Sequence, residues 1–249
     1  MHLRVRYLIL LVLGAGLLVW QSFAAAQDSP ASEPDAAEYM IYQYPGMTLV
    51  VVIDVREAVF TARITGPEGA LVTAAGVPAR RVGPVYQYIG PVDLPRQLMV
   101  AVRPEQAVER SRISMKLLQF PSRDPNAQRQ ARAYSLLARG LQRVRQAASA
   151  IWAERIQSLR NAAGAFAAMG NEEMQLWSDY YTAHLALHGI GDVLLSREQA
   201  RSVQVAAQRA GQATIQMLAT QLEAESLMAE AGRSTAEMAE GQLDRVHPL

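Results

Sequence analysis

His184 and His188 stand four residues apart in "AAMGNEEMQLWSDYYTAHLALHGIGD" (167–192), beside Glu172, Glu173, Trp177, Asp179, Tyr180 and Tyr181. Histidines at i,i+4 share one face of a helix, the spacing that can clamp a metal ion. The hydrolytic form of that clamp needs a glutamate directly after the first histidine. Leu185 stands there instead, and nothing in the spacing marks a further ligand among Asp179, Glu172 and Glu173. The aromatic side chains offer a second chemistry, stacking on a ligand.

Other reaction types find less support. The chain has no cysteine, which removes disulfides, thiolate nucleophiles and Cys-zinc sites. It carries no G-x-S-x-G elbow, no S-x-x-K pair and no glycine loop of the phosphate-cradling kind. Asp54 with Glu68 of the "GPEG" turn (66–69) falls short of the several clustered oxygens that calcium requires. No metal and no cofactor is expected.

The elements that must position these residues begin with a leader. His2, Arg4 and Arg6 precede an apolar run from Tyr7 to Trp20, and Ala24-Ala25-Ala26 precedes Gln27. That order is a Sec-type signal peptide cleaved after Ala26, and the run is short for a spanning helix. Residues 1–26 are therefore read as signal and the polar, proline-bearing residues 27–38 as a flexible linker. Two of the 24 basic residues lie in the leader, leaving 22 against 23 acids, so no overall charge draws the chain to nucleic acid. Export without disulfides fits a bacterial periplasmic or secreted protein.

Residues 39–120 read as short strands. "TLVVVIDV" (48–55) is nearly continuous and β-branched, as in a strand buried on both faces. "AVFTARITG", "ALVTAAGV", "PVYQYIG", "RQLMVAV" and "RSRISMKLLQF" are five more of about seven candidate strands, an antiparallel β-sandwich by pattern. Pro84, Pro91, Pro95 and Pro104 bound these strands rather than interrupt them.

The pattern changes at residue 121. Asp124 is a good N-cap with Pro125 behind it, and no proline occurs from Asn126 to Val246. Tyr134, Leu137, Leu141, Val144 and Ala148 predict one apolar helix face, with Arg129, Arg132, Arg139 and Arg143 roughly opposite. That helix has five arginines and no acid between Ala127 and Ala148, a solvated face or one that docks on an acidic surface. Trp152, Ile156, Leu159, Ala163 and Phe166 predict a second helix that stops at Gly170.

A repeat of 41 residues relates Gly170 to Gly211 and Gly191 to Gly232. The same shift sets Trp177 on Leu218 and Tyr181 on Leu222, which makes both aromatics packing residues. It sets Tyr180 on Gln221, His184 on Glu225 and His188 on Ala229. Those three are read as exposed groove positions and as the candidate partner-binding residues. Helix restarts are expected at the capping boxes Ser196–Gln199 and Ser234–Glu237. Helical hairpins of about 40 residues are the signature of an α-solenoid.

"WAERIQSLRNAAGAFAAMGN" resembles a tetratricopeptide helix with its turn, and residues 206–211 echo a second-helix ending. With the signal, the β domain and the Arg-rich helix, the chain is similar to the N-terminal half of bacterial secreted proteins that end in a caspase-like CHAT domain. The histidine and cysteine of a CHAT domain are absent here, so no protease activity carries over. By the repeat, Leu249 aligns with Gln208, and the repeat domain is expected to be truncated.

The expected fold is α+β multidomain: an antiparallel β-sandwich (39–120) followed by a tetratricopeptide-like α-α solenoid (121–249). The expected function is a non-catalytic protein–protein interaction scaffold of the bacterial envelope, holding a peptide or protein on the helical surface. The alternative is the regulatory half of a CHAT-type peptidase. No nucleic acid and no membrane span after cleavage are expected. The acid-rich C-terminal helices, residues 212–249, are expected either to self-associate or to fray.

Overall fold

The computed structural model describes residues 37–55, 60–76, 83–104, 113–142 and 149–246, and side chains within these except at 74–76, 149 and 235–246. The signal peptide, most of the linker, and Arg143, Val144 and Ala148 lie outside the described residues. Among the described residues the class is mixed α+β, with two antiparallel sheets and five α-helices.

Seven strands form among the described residues, six of them at the apolar runs read from the sequence and one, β1, ahead of them. They are β1 (Ala37–Gln43), β2 (Met47–Val55), β3 (Phe60–Thr65), β4 (Leu71–Gly76), β5 (Val85–Ile89), β6 (Arg96–Pro104) and β7 (Ile113–Pro121). β1 starts at Ala37, two residues inside the segment read as linker. One sheet has the order β1-β6-β3-β4, the other β5-β2-β7. Leu49, Val51, Ile53 and Val55 of β2 pack with Ile41, Phe60, Ile64, Leu98 and Val100 in a core shared by the two sheets. Gln87 crosses that core, its Nε2 donating to the Ala62 carbonyl at 3.2 Å.

Val50, Tyr86 and Phe120 leave the opposite face of the three-stranded sheet and join the helical core. β2 is thus covered on both sides, which is why its apolar run does not alternate. Along β7 the helix-side positions are Phe120, Leu118, Lys116 and Ser114, changing from apolar to polar as the helices give out.

The helices are α1 (Pro125–Leu141), α2 (Ser149–Ala168), α3 (Glu172–Leu185), α4 (Val193–Arg209) and α5 (Ala213–Val246), each packed on the next. Asp124 caps α1 through the Asn126 amide, with Pro125 in the first position. α1 and α2 approach closely at Gly140, where an added Cβ would meet Leu159 side-chain carbons at 2.5 Å. The half-open side of that contact is closed by Arg155, whose Nε donates to the Gly140 carbonyl at 2.7 Å. Burial lowers the Arg155 guanidinium pKa to about 10, still charged at neutral pH.

Gly170 and Gly211 end α2 and α4 in the same way. Each has positive φ (+68° and +69°), and the next amide reaches back five residues, Asn171 to Phe166 and Gln212 to Ala207. The second pair of repeat glycines diverges. Gly191 is a left-handed turn after the π-helical turn Ala186–Ile190, whereas Gly232 lies inside the 34-residue α5. Position 192 holds Asp192, which accepts from the Leu195 amide and starts α4. Its counterpart is Arg233, which cannot cap a helix N-terminus. Arg233 instead donates to the Gly191 carbonyl at 2.5 Å, and the helix runs on. Both expected capping boxes are overturned with it. Ser196 is buried inside α4 and accepts from the Ser226 hydroxyl, and Ser234 donates to the Glu230 carbonyl within α5.

Among the described residues, no helix is long and apolar enough to cross a membrane.

Candidate functional site

α3 carries a continuous run of rings. Trp177 stacks on Tyr181 (centroids 5.6 Å apart), Tyr180 lies 5.5 Å from Tyr181 and 6.2 Å from His184, and His184 is 4.4 Å from His188. The repeat predicts Trp177 and Tyr181 as packing residues, and both are buried, as are Leu218 and Leu222. Tyr181 also donates its hydroxyl to the Pro84 carbonyl, tying α3 to the loop before β5. Its phenol pKa is pushed well up, first by burial and then by Tyr86, Tyr180 and Asp54.

The exposure expected of Tyr180 and His184 is corrected: they are 3% and 5% exposed. The repeat misleads because the two equivalent helices sit in different places. α3 is flanked by α2 and α4 and also touches α5 and the loop at Pro84, so almost every face is covered. α5 follows as the last helix in the row, and Gln221 there is exposed. His188 alone of the three is partly open, with its Nε2 3.2 Å from the Glu225 carboxylate of α5. His184 Nε2 is buried without a hydrogen-bond partner among the described residues. Burial, and then His188, lower the His184 pKa to about 3, so the ring is neutral at ordinary pH. Among the described residues no group of three His, Asp or Glu side chains has the geometry to hold a metal ion. Asp54 lies on β2 and Glu68 in the turn after β3, a strand of the other sheet.

An open cleft lies elsewhere among the described residues. It measures about 510 Å³ and lies where the helix-side face of β2, β5 and β7 runs out beneath α3 and the start of α5. Its apolar wall is Trp177, Met174, Ile215, Leu218, Val52 and Leu118, and Met217 stands exposed beside it. Asp54 and Lys116 come from the sheet, and Glu173 from the first turn of α3. Burial raises the Tyr86 pKa well above its ordinary value, followed by Tyr134, Glu173 and Asp54. Burial and Glu173 raise Tyr134 to about 12. Both carboxylates are therefore felt at one point of the cleft floor, and both phenols keep their protons. Tyr86 donates to the Met174 sulfur at 3.6 Å, holding the floor to α3.

Sequence reasoning missed this cleft. The available signal was Lys116, the one lysine in the chain, with Ser114 on the helix-side face of a strand whose next positions on that face are Leu118 and Phe120. Asp54 interrupts β2 in the same way and lies opposite Ser114 in register.

No family model matches the chain, and neither the curated proteins nor the solved structures contain a match to it.

Proposed function

We propose that the chain is a non-catalytic scaffold of the bacterial cell envelope that holds a peptide or protein segment. In this reading the two sheets form a β-sandwich, the helices form a tetratricopeptide-like solenoid, and the leader directs export. The observation that carries it is the cleft at the sheet–helix junction, with its apolar wall, exposed Met217 and charged rim of Lys116, Asp54 and Glu173. Apolar concave surfaces with a few polar groups are where ligands bind, and an open cleft of this kind takes side chains of an extended segment. The site moves from Tyr180 and His184, which are buried, to residues about one helix turn and more toward the start of α3. The phenols of Tyr86 and Tyr134 keep their protons, which suits hydrogen bonding better than acid–base work.

The test is selection of binding peptides from a random dodecapeptide display library on the purified chain. Enriched peptides are expected to lose binding to Met217→Glu and Lys116→Glu variants, both at exposed positions, with unchanged circular dichroism. Peptides that bind both variants as well as the parent, or no enrichment, would refute the reading.

A further inference from the structure

α1 presents a second surface, unlike the cleft in charge. Two shallow hollows of about 250 and 210 Å³ lie along its junction with β5, and Tyr88 lines both. Arg132 opens onto one and Arg139 onto the other, with Gln128, Ser135 and Gln142 along the same row. Both arginines are exposed, and neither hollow has an acidic lining residue. No acid occurs between Pro125 and Leu141. Seven helical residues separate the two guanidinium-bearing positions by about 10.5 Å along the axis.

The complementary pattern is in the same chain. α5 carries acids at Glu223, Glu230, Glu237 and Asp244, each seven residues from the last, with Glu225 and Glu240 outside that row. The first part of this row is used within the molecule: Glu230 pairs with Arg197 of α4. Arg233, bonded to Gly191, marks where α5 passes the start of α4. Residues 234–246 then continue as helix for about 20 Å beyond it. Ile190, Leu194, Leu227 and Met228 are exposed apolar residues of the π-helical turn, α4 and α5. Within one molecule α1 packs on α2 and the sheet, and α5 on α4 and α3.

We propose that a second copy of the chain lays residues 234–246 of its α5 along the α1 face at Arg132, Tyr88 and Arg139. The matched seven-residue spacing lets two charge pairs form on either side of one aromatic ridge. The contact joins different patches, so it builds chains of copies unless the geometry closes on itself. Exposed ion pairs give it modest strength and a strong dependence on salt.

Sedimentation velocity of the full purified chain across a concentration series tests it. Mass-action association at low ionic strength is expected, dispersing at high salt. Arg132→Glu/Arg139→Glu and, separately, Glu237→Arg/Asp244→Arg should each weaken self-association by roughly tenfold or more. Mixing the two variants should restore it, because one supplies a reversed α1 and the other a reversed α5. Circular dichroism checks that each variant keeps its helices. A monomer at every concentration overturns the proposal, as does association that ignores the substitutions. Loss in both variants without rescue on mixing also overturns it, pointing to a partner other than a second copy. Peptide binding in the cleft is read separately, so failure of either idea leaves the other standing.

Discussion

Gly83 lies against the indole of Trp177: a Cβ built at Gly83 would meet its ring carbons at 2.5 and 2.6 Å and the Tyr181 hydroxyl at 3.2 Å. The residue also has φ +96°, outside the range comfortable for L side chains. The sheet layer meets α3 here by backbone, with no room for a side chain. Gly83→Ala should therefore destabilise the fold by about 2–4 kcal/mol, combining overpacking and backbone strain. Gly164 is the control, inside α2 with open space around it. Gly164→Ala should stabilise by about 0.5–1 kcal/mol. Urea midpoints of both variants check the pair, and equal shifts would contradict the close approach.

The two pairs of repeat glycines separate in the same way. Gly211 has φ +69° at a helix end, whereas Gly232 sits in continuous helix with nothing within 4 Å of an added Cβ. Gly211→Ala should cost about 1 kcal/mol or more, and Gly232→Ala should add about 0.5–1 kcal/mol. Thermal melts that reversed this order would restore the sequence expectation of a turn at Gly232.

That contrast marks what was legible. The positions of β2 to β7 followed from β-branched runs between prolines, and α1 from Asp124-Pro125, because these are local preferences that tertiary packing reinforced. The turns at Gly170 and Gly211 were legible for the same reason. Periodicity names a residue's face but not how many neighbours cover it. Tyr180 and His184 sit on an interior helix, Gln221 and Glu225 on one at the end of the row, and a 41-residue shift treats them alike. The fate of Gly232 turned on Arg233 standing where Asp192 caps α4, a one-residue difference inside a similar pattern. The cleft was hidden because Asp54, Lys116, Glu173 and Met217 come from four elements and meet only in three dimensions.

Tyr181 joins the layers through a single polar contact, its hydroxyl to the Pro84 carbonyl. Tyr181→Phe keeps the ring against Trp177 and removes only that donor. The loss should be about 1–2 kcal/mol, the cost of leaving a part-buried acceptor unpaired. Guanidinium titration measures it, and backbone hydrogen exchange should rise at Val85 and Tyr86 before it rises in α2. A loss confined to α3 would show that the bond does not tie the sheet to the helix.

His184 should make the fold sensitive to acid. Its imidazole is buried among Tyr180, His188 and the packed faces of α3, and its pKa falls from 6.5 to about 3, chiefly by burial and then by His188. The unfolded chain takes up a proton below about pH 6.5 that the folded chain refuses until about pH 3. Stability from this residue is therefore complete above 6.5 and lost as pH falls through that window, by about 1.4 kcal/mol per pH unit at most. One further group bears on the same range. The Asp179 carboxyl is raised by burial, with a Gln175 hydrogen bond opposing, so its protonation favours the folded state as pH falls. Glu225 of α5 faces His188 at 3.2 Å. Raw acid profiles mix these effects, but the difference between parent and His184→Leu isolates one of them. Leucine fills the site without a titrating group, so the two stability curves should converge or cross on acidification, the variant gaining about 2–3 kcal/mol relative to the parent by about pH 4.5. Parallel curves from neutral pH down to that point would mean that His184 takes up its proton in the folded state as readily as in the unfolded one, and the buried, neutral ring would be wrong.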